Sequence, residues 1–480
     1  MVSNKTTLDL STFHNIINNT PTATATTRHA INPTTEKPLP EAPLSTQSDV
    51  DTAVSAATAA FPSWRALTPD DRASYLLQLA SALEANASEF TTLLGLEVGK
   101  PVQAAATEVA IAIGHLRGTA ALRLEEEILD SNDERTATLR HVPIGVGLAI
   151  TPWNFPLLLA IGKLGPALLA GNTIILKPSP YAPYSALKLA ELAGKILPPG
   201  VLQALSGDET LGPLLTAHPG IGKVSFTGSS ATGKKVMAAC AATLKRVTLE
   251  LGGNDAAVVC GDVDVDAVVA KVGILAFLNS GQICMNVKRL FVHEDVYGEF
   301  MGKLVGFVKH LKTGGAGDET AFSGPVQNGM QYDKVRGLYE DVVRQGLDIK
   351  LGGLGERGVG YFMPLTIVDN PPDDSRVVVE EPFGPILPVL KWSDEADVIK
   401  RANGSLMGLG ASVWTRDLER GERIARQLEA GSVWVNTHFE LAPNVPFGGH
   451  KWSGIGVDWG VEGLKGWCNP QTVWVRKVLG

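Results

Sequence analysis

Two rhythms of hydrophobic and polar residues run along this chain. The first is helical. Thr68-Pro69-Asp70-Asp71 supplies a cap, a first-turn proline and early acids ahead of the periodic run Tyr75–Leu83. An Ala-rich helical stretch follows over Val102–Leu122. From Leu139 the rhythm changes to short β-rich runs at Gly147–Thr151, Thr173–Lys177, Lys223–Thr227 and Arg246–Leu251. Helical segments near Pro156–Ala170, Tyr181–Ile196 and Gly207–His218 separate them, which predicts βαβ units in a parallel sheet. The pattern restarts after Asp255, with strands near Ala256–Cys260, Leu290–His293, Ile386–Leu390, Ser412–Thr415 and Ser432–Asn436. Thr472–Val478 alternates like an edge strand, either pairing within its own domain or joining another subunit. Residues 1–44, rich in Thr, Asn and Pro, are expected to wrap over the surface with little regular structure.

Length and composition then narrow the class. A chain of 480 residues is too long for one core, so two or three domains are expected. With 44% hydrophobic and 19% charged residues it belongs to the globular class. A net charge of −8 and the lack of any basic cluster argue against a nucleic-acid partner. Cys240, Cys260, Cys284 and Cys468 are widely spaced, so neither a disulfide framework nor a local metal site is expected. That usage fits a reducing compartment. No apolar run reaches membrane-spanning length, and the first twenty residues resemble neither a signal sequence nor a transit peptide, so a cytoplasmic protein is expected.

Several segments carry candidate chemistry, each with two readings. In Asn279-Ser280-Gly281-Gln282-Ile283-Cys284-Met285-Asn286, Cys284 is either a buried structural thiol or a nucleophile displayed on a turn. Glu250 ends an apolar strand just before Leu251-Gly252-Gly253, where a carboxylate is either paired with a base or functional. Asn154, in Thr151-Pro152-Trp153-Asn154-Phe155-Pro156, either donates to an oxyanion or caps the helix that starts at Pro156; taken alone, the cap is the better reading. Gly228 to Lys234 satisfies G-x4-G-K, but Lys235 stands where a nucleotide triphosphatase needs Ser or Thr. A strand, a glycine turn and a helix N-terminus suit a dinucleotide pyrophosphate better. Lys177, before Pro178-Ser179, is either a ribose or phosphate contact or a solvated surface lysine. Glu380-Glu381-Pro382-Phe383-Gly384-Pro385, read alone, is a rigid turn with solvated acids.

The order of these segments resembles the aldehyde dehydrogenase superfamily over residues 30–480. Glu-Leu-Gly-Gly with the cysteine 34 positions beyond its glutamate is the most specific part, and Pro446 to Gly454 is similar to the family's late glycine-rich signature. The resemblance implies an α/β fold of two doubly wound domains with a small β oligomerisation element. The dinucleotide-binding domain would comprise 1–122 and 141–252, the catalytic domain 253–440, and the bridging element 123–140 with 441–480. It implies NAD or NADP as cofactor, a small-molecule aldehyde substrate and a homodimer or homotetramer. Cys284 would be the nucleophile, Asn154 with the Cys284 N–H the oxyanion donors, and Glu250 the activator of water. Lys177 and Glu381 would bind the riboses, with Phe383 beside the nicotinamide. Gly228 and Ser229 would meet the pyrophosphate; Ile150, Thr151, Trp153, Ser179, Leu251 and Gly252 would complete the cofactor cleft. Ile283, Met285, Phe155 and the loop Phe439–Val445 would line the substrate mouth. Glu250 favours release of a free acid over acyl transfer to coenzyme A. Three positions depart from the family pattern: Pro180 leaves the NAD versus NADP preference open, and Asp458 and the Val287-Lys288 pair have no evident role.

Overall fold

The computed structural model describes residues 8–477. Its first sheet runs in the order Thr20–Thr22, Asn15–Ile17, Leu202–Ala204, Thr173–Lys177, Val146–Ile150, Lys223–Thr227, Arg246–Glu250 and Gly454–Ile455. The five central strands are parallel, and the outer pairings are antiparallel. The direction of winding reverses between Val146–Ile150 and Lys223–Thr227, so their carboxyl ends open a crevice of the kind that takes ligands in such sheets. These strands are buried on both faces: Val146–Ile150 and Thr173–Lys177 accordingly read as near-continuous apolar runs, while Lys223–Thr227 buries Lys223, Ser225 and Thr227 along with Val224 and Phe226.

The second sheet has the order Asp348–Leu351, Thr366–Asp369, Ile386–Trp392, Val287–His293, Asp255–Val259, Gly410–Trp414 and Ser432–Val435, with only the first pairing antiparallel. A third, antiparallel sheet joins Cys468–Arg476 to Arg135–Pro143 and that strand to Glu127–Ser131. The C-terminal strand therefore pairs within its own chain, and its outer edge is unpaired among the described residues; Val478 lies outside them. Among the described residues no helix is long and apolar enough to cross a membrane.

The N-terminal expectation is corrected. Residues 15–43 form four short strands, because Ile16 and Ile17 are buried and Asn15 ties the segment to Ser206, whose N–H donates to Asn15 Oδ1 at 2.9 Å. The helix Pro69–Ala85 starts as expected, with Thr68 and Asp71 exchanging backbone bonds in a capping box.

Candidate active site

The loop that carries Cys284 begins where the helix Val265–Phe277 stops. Asn279, Ser280 and Gly281 then take φ of 51°, 58° and 72°, three successive left-handed residues that reverse the chain sharply. At Gly281 a Cβ would lie 2.2 Å from the Gly384 carbonyl, so only glycine fits. Ser280 Oγ donates to Gly324 O at 2.6 Å, and the Gln282 side chain spans to Pro325 O and the Gln327 N–H. These bonds hold the turn rigid and leave Cys284 part-exposed at the floor of a cavity of about 760 Å3.

Thirteen of the fourteen residues singled out in the sequence line this one cavity: Ile150, Thr151, Trp153, Asn154, Lys177, Ser179, Gly228, Ser229, Leu251, Gly252, Cys284, Glu381 and Phe383. Glu250, the fourteenth, is buried at the carboxyl end of its strand behind them, close enough for its carboxylate to act on the Cys284 thiol. Neither of its oxygens has a hydrogen-bond partner or an ion pair within the described residues, which removes the salt-bridge reading. Burial raises its pKa from the ordinary 4.5 to about 7, against the opposing pull of the Lys163 charge, the Cys284 thiol and the Thr227 hydroxyl. Burial and the neighbouring Glu250 carboxylate push the Cys284 thiol well up, while the Lys288 charge pulls it down.

The reading of Asn154 as a helix cap is overturned. Phe155 is the cap residue of the helix Pro156–Leu169, and the amides of Leu157 and Leu158 are satisfied by Glu108 Oε1, both at 3.1 Å. Asn154 Nδ2 is thereby free to donate across to Gln282 O at 3.0 Å, beside the nucleophile's loop. The solvated-acid reading of Glu381 is corrected as well: its Oε1 accepts from Gly253 N–H and from Lys288 Nζ, each at 3.1 Å. Phe383 meets Trp153 edge to face at 5.3 Å between ring centres. Lys177 is buried, not a solvated surface lysine, and burial lowers its pKa to about 8.

The glycine turn also resolves. Ser229 caps the helix Ser230–Ala241, whose first turn opens on the cavity. Lys234, which stands at the P-loop lysine's position, lies over the Trp452 ring at 3.2 Å, and its neighbour Lys235 lines the cavity instead. A dinucleotide fits this cleft: its volume lies in the range of cofactor pockets. A helix N-terminus stands ready for phosphate. The Thr151 hydroxyl is buried without a partner among the described residues, and the Lys177 ammonium donates to Pro178 O with two further N–H bonds to give.

On the substrate side, Ile283 and Met285 are buried in an apolar cluster with Leu409, Phe447 and Trp459, against which Phe155, Trp434, Phe439 and Leu441 pack. The two residues flanking Cys284 therefore form the cluster's core rather than an open mouth. Asp458, given no role from the sequence, holds Lys163 at 2.8 Å, and Lys163 is the cation that stabilises the Glu250 carboxylate. Glu108 and Lys163 escaped sequence reasoning, their only signal being a charge inside a largely apolar run, and Lys288 stood out only as a departure from the family pattern. The late signature closes the site from outside. Leu251 N–H donates to Ser453 O at 2.8 Å, Ser453 Oγ donates to Gly252 O at 2.6 Å, and Gly454–Ile455 pairs with the strand ending at Glu250.

Comparison with known proteins agrees with this geometry. The model of the "Aldehyde dehydrogenase family" matches residues 20–473. The chain is 40% identical to the aldehyde dehydrogenase LUC3 of a Fusarium species over 473 residues, covering 98% of this chain and all of that one. It is 39% identical to retinaldehyde dehydrogenase 3 of Rattus norvegicus over 454 residues, covering 93% and 89% of the two. The structure of an NAD+ complex of aldehyde dehydrogenase from Bacillus cereus superposes with a TM-score of 0.95 at 33% identity, covering 97% of both chains. An NADP-dependent enzyme of E. coli does so with a TM-score of 0.95 at 34% identity, covering 97% and 98%. With its cysteine and asparagine lining a dinucleotide-sized cleft and its glutamate buried behind them, this chain belongs to the aldehyde dehydrogenase family and oxidises an aldehyde to its carboxylic acid.

Proposed function

We propose that the reaction proceeds through a thioester on Cys284, with NAD+ or NADP+ in the cavity above it. The observation that carries this reading is the convergence of Cys284, Asn154 and the unpaired, buried Glu250 at one end of the cleft. Glu250, with a pKa of about 7, is part-ionised at neutral pH and is poised to take a proton. As the Cys284 sulfur bonds to the aldehyde carbon, its proton passes to Glu250 and the carbonyl oxygen becomes an oxyanion. Asn154 Nδ2 and the Cys284 N–H stabilise that charge, a contribution typically worth about 100–1,000-fold in rate. Tetrahedral carbon is what allows hydride to depart, and the dinucleotide, when bound, supplies the acceptor for it. Cys284 is then acylated. Glu250, again ionised, takes a proton from water; the oxygen attacks the thioester carbon, the acid leaves and the sulfur is released.

In this reading Lys177 and Glu381 hold the riboses, and Gly228 and Ser229 face the pyrophosphate. Ile150, Thr151, Trp153, Ser179, Leu251, Gly252 and Phe383 shape the cleft around them. The aromatic and aliphatic cluster around Cys284 supports an apolar aldehyde, aliphatic or aromatic, as substrate. Residues 1–122 and 141–252 form the cofactor domain, 253–440 the catalytic domain, and 123–140 with 441–480 the bridging element. The edge of Cys468–Arg476, unpaired among the described residues and with Trp474 and Val475 exposed, supports a homodimer or homotetramer. Four free cysteines support a reducing, cytoplasmic setting.

The decisive experiment compares wild type with Cys284→Ser on a panel of aldehydes, following the reduced dinucleotide with both cofactors. Turnover without any coenzyme A that disappears in the variant is the expected result. Normal steady-state turnover in Cys284→Ser overturns the reading, and silence of the wild type across the whole panel would favour a non-catalytic role.

A further inference from the structure

Lys288 stands four positions beyond Cys284, at the start of the strand Val287–His293, and the chemistry above gives it no task. Its side chain is 2% exposed. Burying an ammonium is costly unless its charge and its donors are met. Here they are met in full: an ammonium has three N–H bonds, and Nζ donates to the Cys284 carbonyl, to the Gly253 carbonyl at 2.9 Å and to Glu381 Oε1 at 3.1 Å. The three acceptors lie on separate segments: the nucleophile's loop, the turn that follows Glu250, and the turn that carries Phe383. Gly253 reinforces the junction, because its N–H donates to the same Glu381 oxygen. A Cβ there would come within 2.4 Å of the Cys284 carbonyl, so glycine alone lets the two turns meet.

We infer that Lys288 is a positioning residue that locks the nucleophile's peptide and the cofactor-side carboxylate of Glu381 into one frame before the dinucleotide binds. This inference rests on the roles given above to Cys284 and Glu381. With its oxygen clamped twice, Glu381 loses little freedom when a ribose arrives, and preorganisation of that kind is gained as affinity. The same ammonium, bonded to the Cys284 carbonyl, pulls the pKa of that residue's thiol down, against burial and the Glu250 and Asp255 carboxylates, which push it up. A planar guanidinium cannot reproduce the three-way junction, and a methionine of similar length supplies none of the donors.

The test uses full-length Lys288→Met, Glu381→Gln and the double variant, with two readouts apart from turnover. The first is NAD+ affinity by calorimetry; the second is the rate at which iodoacetamide alkylates Cys284 in cofactor-free enzyme, with the labelled peptide identified by mass spectrometry. Lys288→Met is expected to weaken NAD+ about tenfold, and that loss should vanish in the Glu381→Gln background. Alkylation should slow about tenfold in Lys288→Met, since the sulfur loses its neighbouring cation. Glu381→Gln should speed it by about threefold by leaving that cation uncompensated. The last arm stands even if Lys288→Met fails to fold, because a carboxylate that only grips ribose would leave alkylation of the free enzyme unchanged. Unchanged alkylation in Glu381→Gln, or fully additive losses of NAD+ affinity, overturns the inference. Failure of the nucleophile assignment itself would show separately, as turnover retained in Cys284→Ser.

Discussion

Replacing Glu250 by glutamine separates its catalytic task from its cost to the fold. The carboxylate is 3% exposed and has no hydrogen-bond or ion-pair partner among the described residues, and burial raises its pKa from 4.5 to about 7. Because folding raises this pKa, the side chain's contribution is most favourable below 4.5, where it is neutral in both states. That contribution is lost progressively as the pH climbs to 7, where the folded protein is made to carry the charge. At about 1.4 kcal/mol per tenfold change in proton affinity, the raised pKa of Glu250 costs the native state about 2 kcal/mol near pH 6, where it is held protonated, and about 3 kcal/mol near pH 8.5, where it is buried ionised. Glu250→Gln should therefore be more stable than wild type by about these amounts in urea unfolding, with the larger gain at the higher pH. The same variant should lose thioester hydrolysis: rapid-quench kinetics should show a burst of reduced dinucleotide near one equivalent per site, followed by slow turnover. The wild-type hydrolysis rate should rise with pH through about 7, and this limb should be absent in the variant. A variant no more stable at pH 8.5, or one that turns over at the wild-type rate, would refute the argument that one buried, unpaired carboxylate serves as the base.

Two further outcomes test other parts of the structure. Asn154→Ala should lower kcat by about 100–1,000-fold while leaving dinucleotide affinity unchanged, as measured by steady-state kinetics beside direct binding; a loss confined to KM would count against an oxyanion donor. Thr68→Ala removes one half of the capping box at Pro69, so unfolding should become easier by about 1 kcal/mol at unchanged activity, read from denaturation and turnover together.

The parallel strands were legible because each is a short β-rich run closed by a turn residue; Thr173–Lys177 and Lys223–Thr227 fall where the pattern puts them. The helix Gln47–Ala66 gave no comparable signal, since small and hydroxylated residues dilute its apolar stripe and Pro62 interrupts it. The strands between residues 15 and 43 were unreadable for another reason. Their partners include Ala204, and a three-residue strand is defined by what it pairs with rather than by its own pattern. Asn154 was misread by local logic. A helix start seemed to need a nearby cap, but Glu108, 46 positions upstream, already satisfies it. Lys288 was likewise opaque, because its meaning lies in Gly253 and Glu381, and no window around position 288 contains either.

The clasp that Ser453 and Gly454 make on the turn after Glu250 bears on how the enzyme comes into being. A ribosome must add some two hundred residues after the glutamate before that turn acquires its outer wall. Nascent chains that end between Phe383 and Ser453 already carry Asn154, Glu250 and Cys284 yet hold no finished wall around that turn, so the reaction chamber is completed only when the distal segment docks.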